Sequence, residues 1–245
     1  MTAVSNVYSG YTTLEISTLL SKVYQNSSTG VPSTLAADPM AAANARVASE
    51  IASTNVMLSA YSKIQSSLVS LQPAAATLSG LTSTATPASA VGAAQAFATA
   101  YNNAFTLTRS SVGSTGSLAT DTRAQALSRD LKSILANVST TTLNSMGISV
   151  NASTGTMAVD AAKLQTALKA NPAGVTSTLA KIGALAGQVA GNELASTGNV
   201  GASVTMLSNQ STTLSAQLAL QQSYSSTPQT LSGSIISAYQ KVGLM

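Results

Sequence analysis

The chain has 245 residues, 44% of them hydrophobic but only 4% aromatic, with two phenylalanines and no tryptophan, so thin layers of small side chains are expected rather than a thick globular core. Eleven basic and seven acidic residues give a net charge of +4 with no Lys/Arg cluster, which leaves nucleic-acid binding without an electrostatic footprint. His and Cys are both absent, so thiol chemistry, the usual transition-metal ligands and a base to activate any of the many serines are missing.

The first apolar pattern runs through Leu14, Ile16, Leu19, Leu20, Val23 and Tyr24 and gives way to the Ser/Thr/Gly stretch 25–33. This reads as a short amphipathic arm on a flexible joint. Asp38-Pro39 is a helix start: Asp caps free N–H groups, and Pro is tolerated at the first helical position. From there Val47, Ile51, Thr54, Leu58, Tyr61, Leu68, Leu71 and Leu78 recur at three- and four-residue steps, which predicts a helix over 39–78, kinked near Pro73.

Residues 79–87 read as a short loop, after which Val91, Gln95, Ala98, Tyr101, Phe105 and Thr108 form a second stripe. A Gly/Ser break at 113–117 precedes a third helix through Leu118, Ala124, Leu127, Leu131, Ile134 and Leu135, whose Arg123, Arg129 and Lys132 are expected on a solvated face. The period then changes. Ile148 and Val150, then Met157 and Val159, flank a turn with Asn151 and Gly155, which predicts a β-hairpin within 147–160.

Asp160 is expected to cap a helix through Leu164, Ala167 and Leu168, and Asn171-Pro172 to open another through Val175, Leu179 and Ile182. The last long pattern, Val200, Val204, Leu207, Leu214 and Leu218, reaches Tyr224. Thr227-Pro228 is then expected to begin a separate terminal helix through Leu231, Ile235, Tyr239 and Val242. No formal charge falls between Lys63 and Arg109 or between Glu193 and Lys241, so the outer faces of these helices suit cover by other chains.

The resulting fold expectation is mainly α: an elongated helical rod or bundle of long antiparallel amphipathic helices, with coiled-coil-like terminal arms and one small β-hairpin. Its parts are an arm and joint over 1–33, a rod over 34–199 and a C-terminal helix with its arm over 200–245. Self-assembly contacts are expected at Ile16, Leu19, Leu20 and Val23 in the first arm, and at Val204, Leu207, Leu214, Leu218, Leu231, Ile235, Tyr239 and Val242 in the last. The seven carboxylates show no glycosidase-like or EF-hand spacing, no serine sits in a G-x-S-x-G elbow, and Gly-rich phosphate loops are missing. The expectation is a non-enzyme without metal or cofactor. No apolar run reaches the roughly 18 residues of a membrane span, and the N-terminus lacks the pattern of a cleaved secretory signal.

Four stretches resemble the bacterial flagellar filament-capping family, hook-associated protein 2. The family's opening pattern is matched by Ser9, Gly10, Ile16, Leu19 and Leu20, although Tyr11 and Thr12 replace its usual Leu and Asp. Leu58 to Leu78 resembles its first long helix, and Ala96, Phe97, Ala100, Tyr101 and Asn102 match its A-F-V-x-A-Y-N segment. The most specific stretch is SLATDTRAQALSRDLKSIL followed by MGISVNASTGTMAVDAAKLQTALKANPAGVTSTL. It keeps the family's order of leucine-rich helix, G-I hairpin, Asp-capped helix and Asn-Pro helix start.

The family places a large β-rich head between its first long helix and the A-Y-N helix, and here only the loop at 79–87 stands there. The resemblance therefore implies a short form that keeps the flagellin-like axial core, is exported through the flagellar channel and works outside the cell. The leading reading is a structural protein that self-assembles through both terminal helices into a flagellum-like filament. The alternative is a filament-tip cap that guides subunit assembly, with an adhesive role for the hairpin as a third. Expected partners are copies of itself, flagellin or other hook-associated proteins, with no nucleic acid and no membrane insertion.

Overall fold

The computed structural model describes residues 39–241, with side chains for residues 40–224. In order these form α1 (Pro39–Ser79), α2 (Pro87–Val112), α3 (Thr122–Ala136), α4 (Thr140–Ser145), β1 (Ile148–Val150), β2 (Met157–Val159), α5 (Ala161–Ala170), α6 (Pro172–Leu194) and α7 (Asn199–Lys241). The fold is mainly α, as expected, with a single small antiparallel pair of strands among the described residues.

Local chemistry explains most boundaries. Thr86 accepts from the Ser89 N–H and Pro87 takes the first turn of α2. Asp121, Ser139, Asp160 and Asn171 do the same for α3, α4, α5 and α6 through side-chain oxygens on free N–H groups. Each such cap is worth about 1 kcal/mol. The expected Asp38 cap lies outside the described residues.

The contacts divide the chain into two units. One spans residues 56–208 and holds a continuous core from Leu58 to Leu207. Leu68, Leu71, Leu127, Leu131, Ile134, Leu164, Leu179 and Ile182 fill it together with many alanines, among them Ala75, Ala90, Ala94, Ala104, Ala124 and Ala186. Small side chains let helices approach closely. At Gly183 an added Cβ would sit 2.5 Å from the Ser79 N and 2.6 Å from the Ala75 O, so α6 lies backbone to backbone against the end of α1. Gly187 and Gly191 continue that stripe at four-residue steps beside Ala75 and Gln72.

In the other unit, the described residues 39–55 and 209–241 are parts of α1 and α7. Val47, Thr54 and Leu214 are buried there, and Ser211 Oγ donates to Asn55 Oδ1 at 2.8 Å. The expected arm boundary at residue 200 lies next to the start of α7, and the two units meet within that helix, between residues 208 and 209.

Three expectations are corrected. The break at Thr227-Pro228 does not occur, and α7 runs through it from Asn199 to Lys241. Pro228 forfeits one helical hydrogen bond and crowds the preceding turn, a local cost that here does not set a helix boundary. Leu118 precedes α3 rather than belonging to it: it is buried in a turn, its N–H donating to the Ser111 O at 2.8 Å. Gln95 points to solvent while Ala93, Ala94 and Phe97 turn inward, so the buried stripe of α2 begins on a different face from the one expected. The short α4 had no counterpart in the sequence reading.

Candidate functional site

The part of unit 56–208 that combines polar geometry with a specific sequence motif is the hairpin and its seat on α2. Ile148 pairs with Val159, Ser149 with Ala158 and Val150 with Met157. The loop is built by Asn151, whose Oδ1 accepts from the Ser153 N–H at 2.9 Å, the Ser153 hydroxyl at 2.7 Å and the Thr154 N–H at 3.0 Å. Gly155 takes φ +75°, and a Cβ there would collide with the Phe105 ring. Only glycine satisfies both the left-handed backbone and the contact.

α2 holds this hairpin through two side chains. Asn102 Nδ2 donates to the Met157 O at 2.7 Å, and its Oδ1 accepts from the Met157 N–H at 2.7 Å. Two turns on, Arg109 Nη1 donates to the Thr154 O at 2.8 Å. Asn102 thus serves the otherwise open edge of β2 as a neighbouring strand would. Behind it, Phe97, Tyr101 and Phe105 stack at four-residue steps, with ring centroids 6.1 and 5.7 Å apart. Burial pushes the Tyr101 phenol up to about 12.

A second polar locus lies in the core. Tyr61 is wholly buried, and although Ser203 and Asp121 face its Oη, neither stands in good hydrogen-bond geometry to it, and Ser203 Oγ is likewise without a well-formed bond. Burial raises the Tyr61 phenol far above its ordinary range. A buried orphan donor costs about 1–3 kcal/mol. Tyr61→Phe is therefore expected to stabilise the chain by about 1 kcal/mol, read from urea unfolding; a comparable loss would show that the hydroxyl is bonded.

The residues expected to drive assembly fall into three groups. Leu207 is buried in the core of unit 56–208, with Val204 half-buried against it. Leu214 is buried and Leu218 half-buried in the other unit. Leu231, Ile235 and Tyr239 lie on α7 beyond the described side chains, while Ile16, Leu19, Leu20, Val23 and Val242 lie outside the described residues. Among the described residues, the large apolar side chains left in solvent are Met40, Val56, Val69, Met206, Leu220 and Tyr224. For Val69, Met206, Leu220 and Tyr224 the one sequence signal was the absence of charge around them. Arg123, Arg129 and Lys132 are exposed, as expected of a solvated face. Among the described residues no group of three or more His, Cys, Asp or Glu could hold a metal, and no helix is long and apolar enough to cross a membrane.

These features define a mainly helical bundle protein whose small hairpin is clamped to a long helix. Residues 87–235, from the first residue of α2 far into α7, match the family described as flagellar hook-associated protein 2, C-terminus. The chain belongs to that family. No curated protein and no solved structure matches it.

Proposed function

We propose that this chain is a non-catalytic filament cap of the bacterial flagellum, a homo-oligomer that works outside the cell at the filament tip and guides the addition of subunits. The observation that carries the reading is the family match over 87–235, which takes in α2, the clamped hairpin and most of α7. Export through the flagellar channel and contact with flagellin or other hook-associated proteins belong to the same reading. The assembly contacts are assigned to the terminal arms and to Met206, Leu220 and Tyr224, which stand 48%, 60% and 70% exposed on a charge-free stretch of α7.

One observation favours a second reading. α1 ends at Ser79 and α2 begins at Pro87, so only the turn residues 80–86 stand where the resemblance places a head. A chain reduced to its helical core is closer in build to a filament subunit. Electron microscopy of the purified chain separates the two: closed rings are expected of a cap and long polymers of a subunit. Deleting the gene is expected to release filament subunits into the medium. Filaments of normal length after deletion, with the purified chain strictly monomeric, would overturn both readings.

A further inference from the structure

The corner where α6 hands over to α7 holds a buried carboxyl that the helical scaffold alone does not require. Glu193 is 5% exposed, in the last turn of α6, where the free carbonyls of the helix end carry partial negative charge. Its Oε1 accepts from Asn199 Nδ2 at 2.9 Å, the side chain of the first residue of α7. Its Oε2 is buried without a hydrogen-bond partner. Asp130, half-buried on α3, is the charged group that bears on it. α7 offers the neutral Asn199, α1 offers the neutral Gln72 beside Gly191, and Arg129, next to Asp130, points to solvent.

Two carboxylates cannot share such a place as a bare pair. An orphan buried oxygen, a negative helix end and a facing acid are all relieved by one proton. We propose that Glu193 is a proton-operated clasp: its protonated Oε2 donates to the Asp130 carboxylate while Oε1 accepts from Asn199, and loss of the proton loosens the first turn of α7. Neutral, the carboxyl joins three helices through two hydrogen bonds; ionised, it repels Asp130 and keeps only the Asn199 contact.

The sign follows from linkage. Burial first, then the neighbouring Asp130, raise the Glu193 carboxyl above its usual range, with the Asn199 amide partly opposing them. The folded chain therefore holds this proton at pH values where the unfolded chain, near the ordinary Glu value of about 4.3, has released it. The clasp contributes fully at low pH, and its contribution falls as pH rises through the raised value.

The test uses the full chain and two readouts. A carboxyl ¹³C titration is expected to place Glu193 above the ordinary Glu range and to move it down in Asp130→Asn. Amide exchange over 199–203, corrected for the intrinsic rate, is expected to quicken as pH rises in the parent chain but not in Glu193→Gln, whose amide donates to Asp130 and accepts from Asn199 as the protonated acid does. Glu193→Gln is also expected to raise the thermal midpoint at pH 8 by on the order of 2–4 °C and to leave it unchanged at pH 4. Glu193 titrating as an ordinary carboxylate would overturn the proposal, as would Glu193→Gln losing stability equally at both pH values. A rise in the parent's midpoint on adding calcium at pH 8, with no proton bound to Glu193, would overturn it too by making the pair a cation site.

Discussion

Phe97→Ala is expected to lower the unfolding free energy by about 3–5 kcal/mol, the largest loss of any single side chain considered. The chain's two phenylalanines stand on one face of α2, and Phe97 is wholly buried. Truncation removes a ring's worth of buried surface and one of the two stacked pairs, Phe97 on Tyr101, itself worth about 0.5–1.5 kcal/mol. Most of the remaining core is Leu, Ile and Ala. Helices held by their backbones, as α6 is against α1 at Gly183, collapse little into a cavity. Urea unfolding of the full chain checks the value, and the thermal midpoint is expected to fall by on the order of 6–20 °C. Val69→Ala, at a position 53% exposed, serves as the comparison and is expected to change stability by no more than about 0.5 kcal/mol. Equal losses at the two positions would mean that Phe97 is not at the centre of the core.

The sequence made several helix starts legible where a short polar residue precedes a proline or an apolar run. Asn171-Pro172 and Asp160 open helices where expected, and the hairpin falls where expected because its period of two contrasts with the helices around it. Pro87, read as the end of the loop, instead opens α2. Other features were hidden for physical reasons. α4 is six residues, TTTLNS, with one buried side chain, Leu143, so it has no period to read. Alanine fits either face of a helix, so Ala93 and Ala94 gave no warning that the inner face of α2 includes them rather than Gln95. Pro228 looked like a boundary because the local penalty is visible in sequence while the support of a long helix is not.

The polar sites were the least legible part. Glu193 and Asp130 lie far apart in the chain and share no motif; only the packing of α3 against the end of α6 brings them together. Asn102 was visible as a member of a family-like segment, yet nothing in that segment says that its amide would meet the backbone of a strand 55 residues away. Tyr61 was correctly read as core, but the surroundings of its hydroxyl, with Ser203 and Asp121 facing it, are set by the tertiary fold. Apolar periodicity reports which face turns inward, whereas the partner of each polar group is a property of the tertiary fold.

Asn102→Leu is expected to cost about 2–4 kcal/mol and to act on the hairpin more than on the helices. The substitution keeps bulk but leaves the N–H and C=O of Met157 without the two 2.7 Å bonds that Asn102 supplies, each unmade bond in a part-buried place costing about 1–3 kcal/mol. β1 and β2 are three residues each, too short to stand alone, so their register depends on the α2 seat. Arg109 would still hold Thr154, and Gly155 would still lie against Phe105, so the loop tip stays near α2 while β2 comes free. The expected signature is therefore specific: amide exchange at Met157 quickens strongly, that of α3 and α6 stays near the parent's, and helical circular dichroism is unchanged. Asn102→Asp keeps the acceptor for the Met157 N–H but sets a carboxylate oxygen against its C=O, and is expected to be as damaging at neutral pH. Uniform loss of protection through all helices would show instead that Asn102 supports the core, not the hairpin.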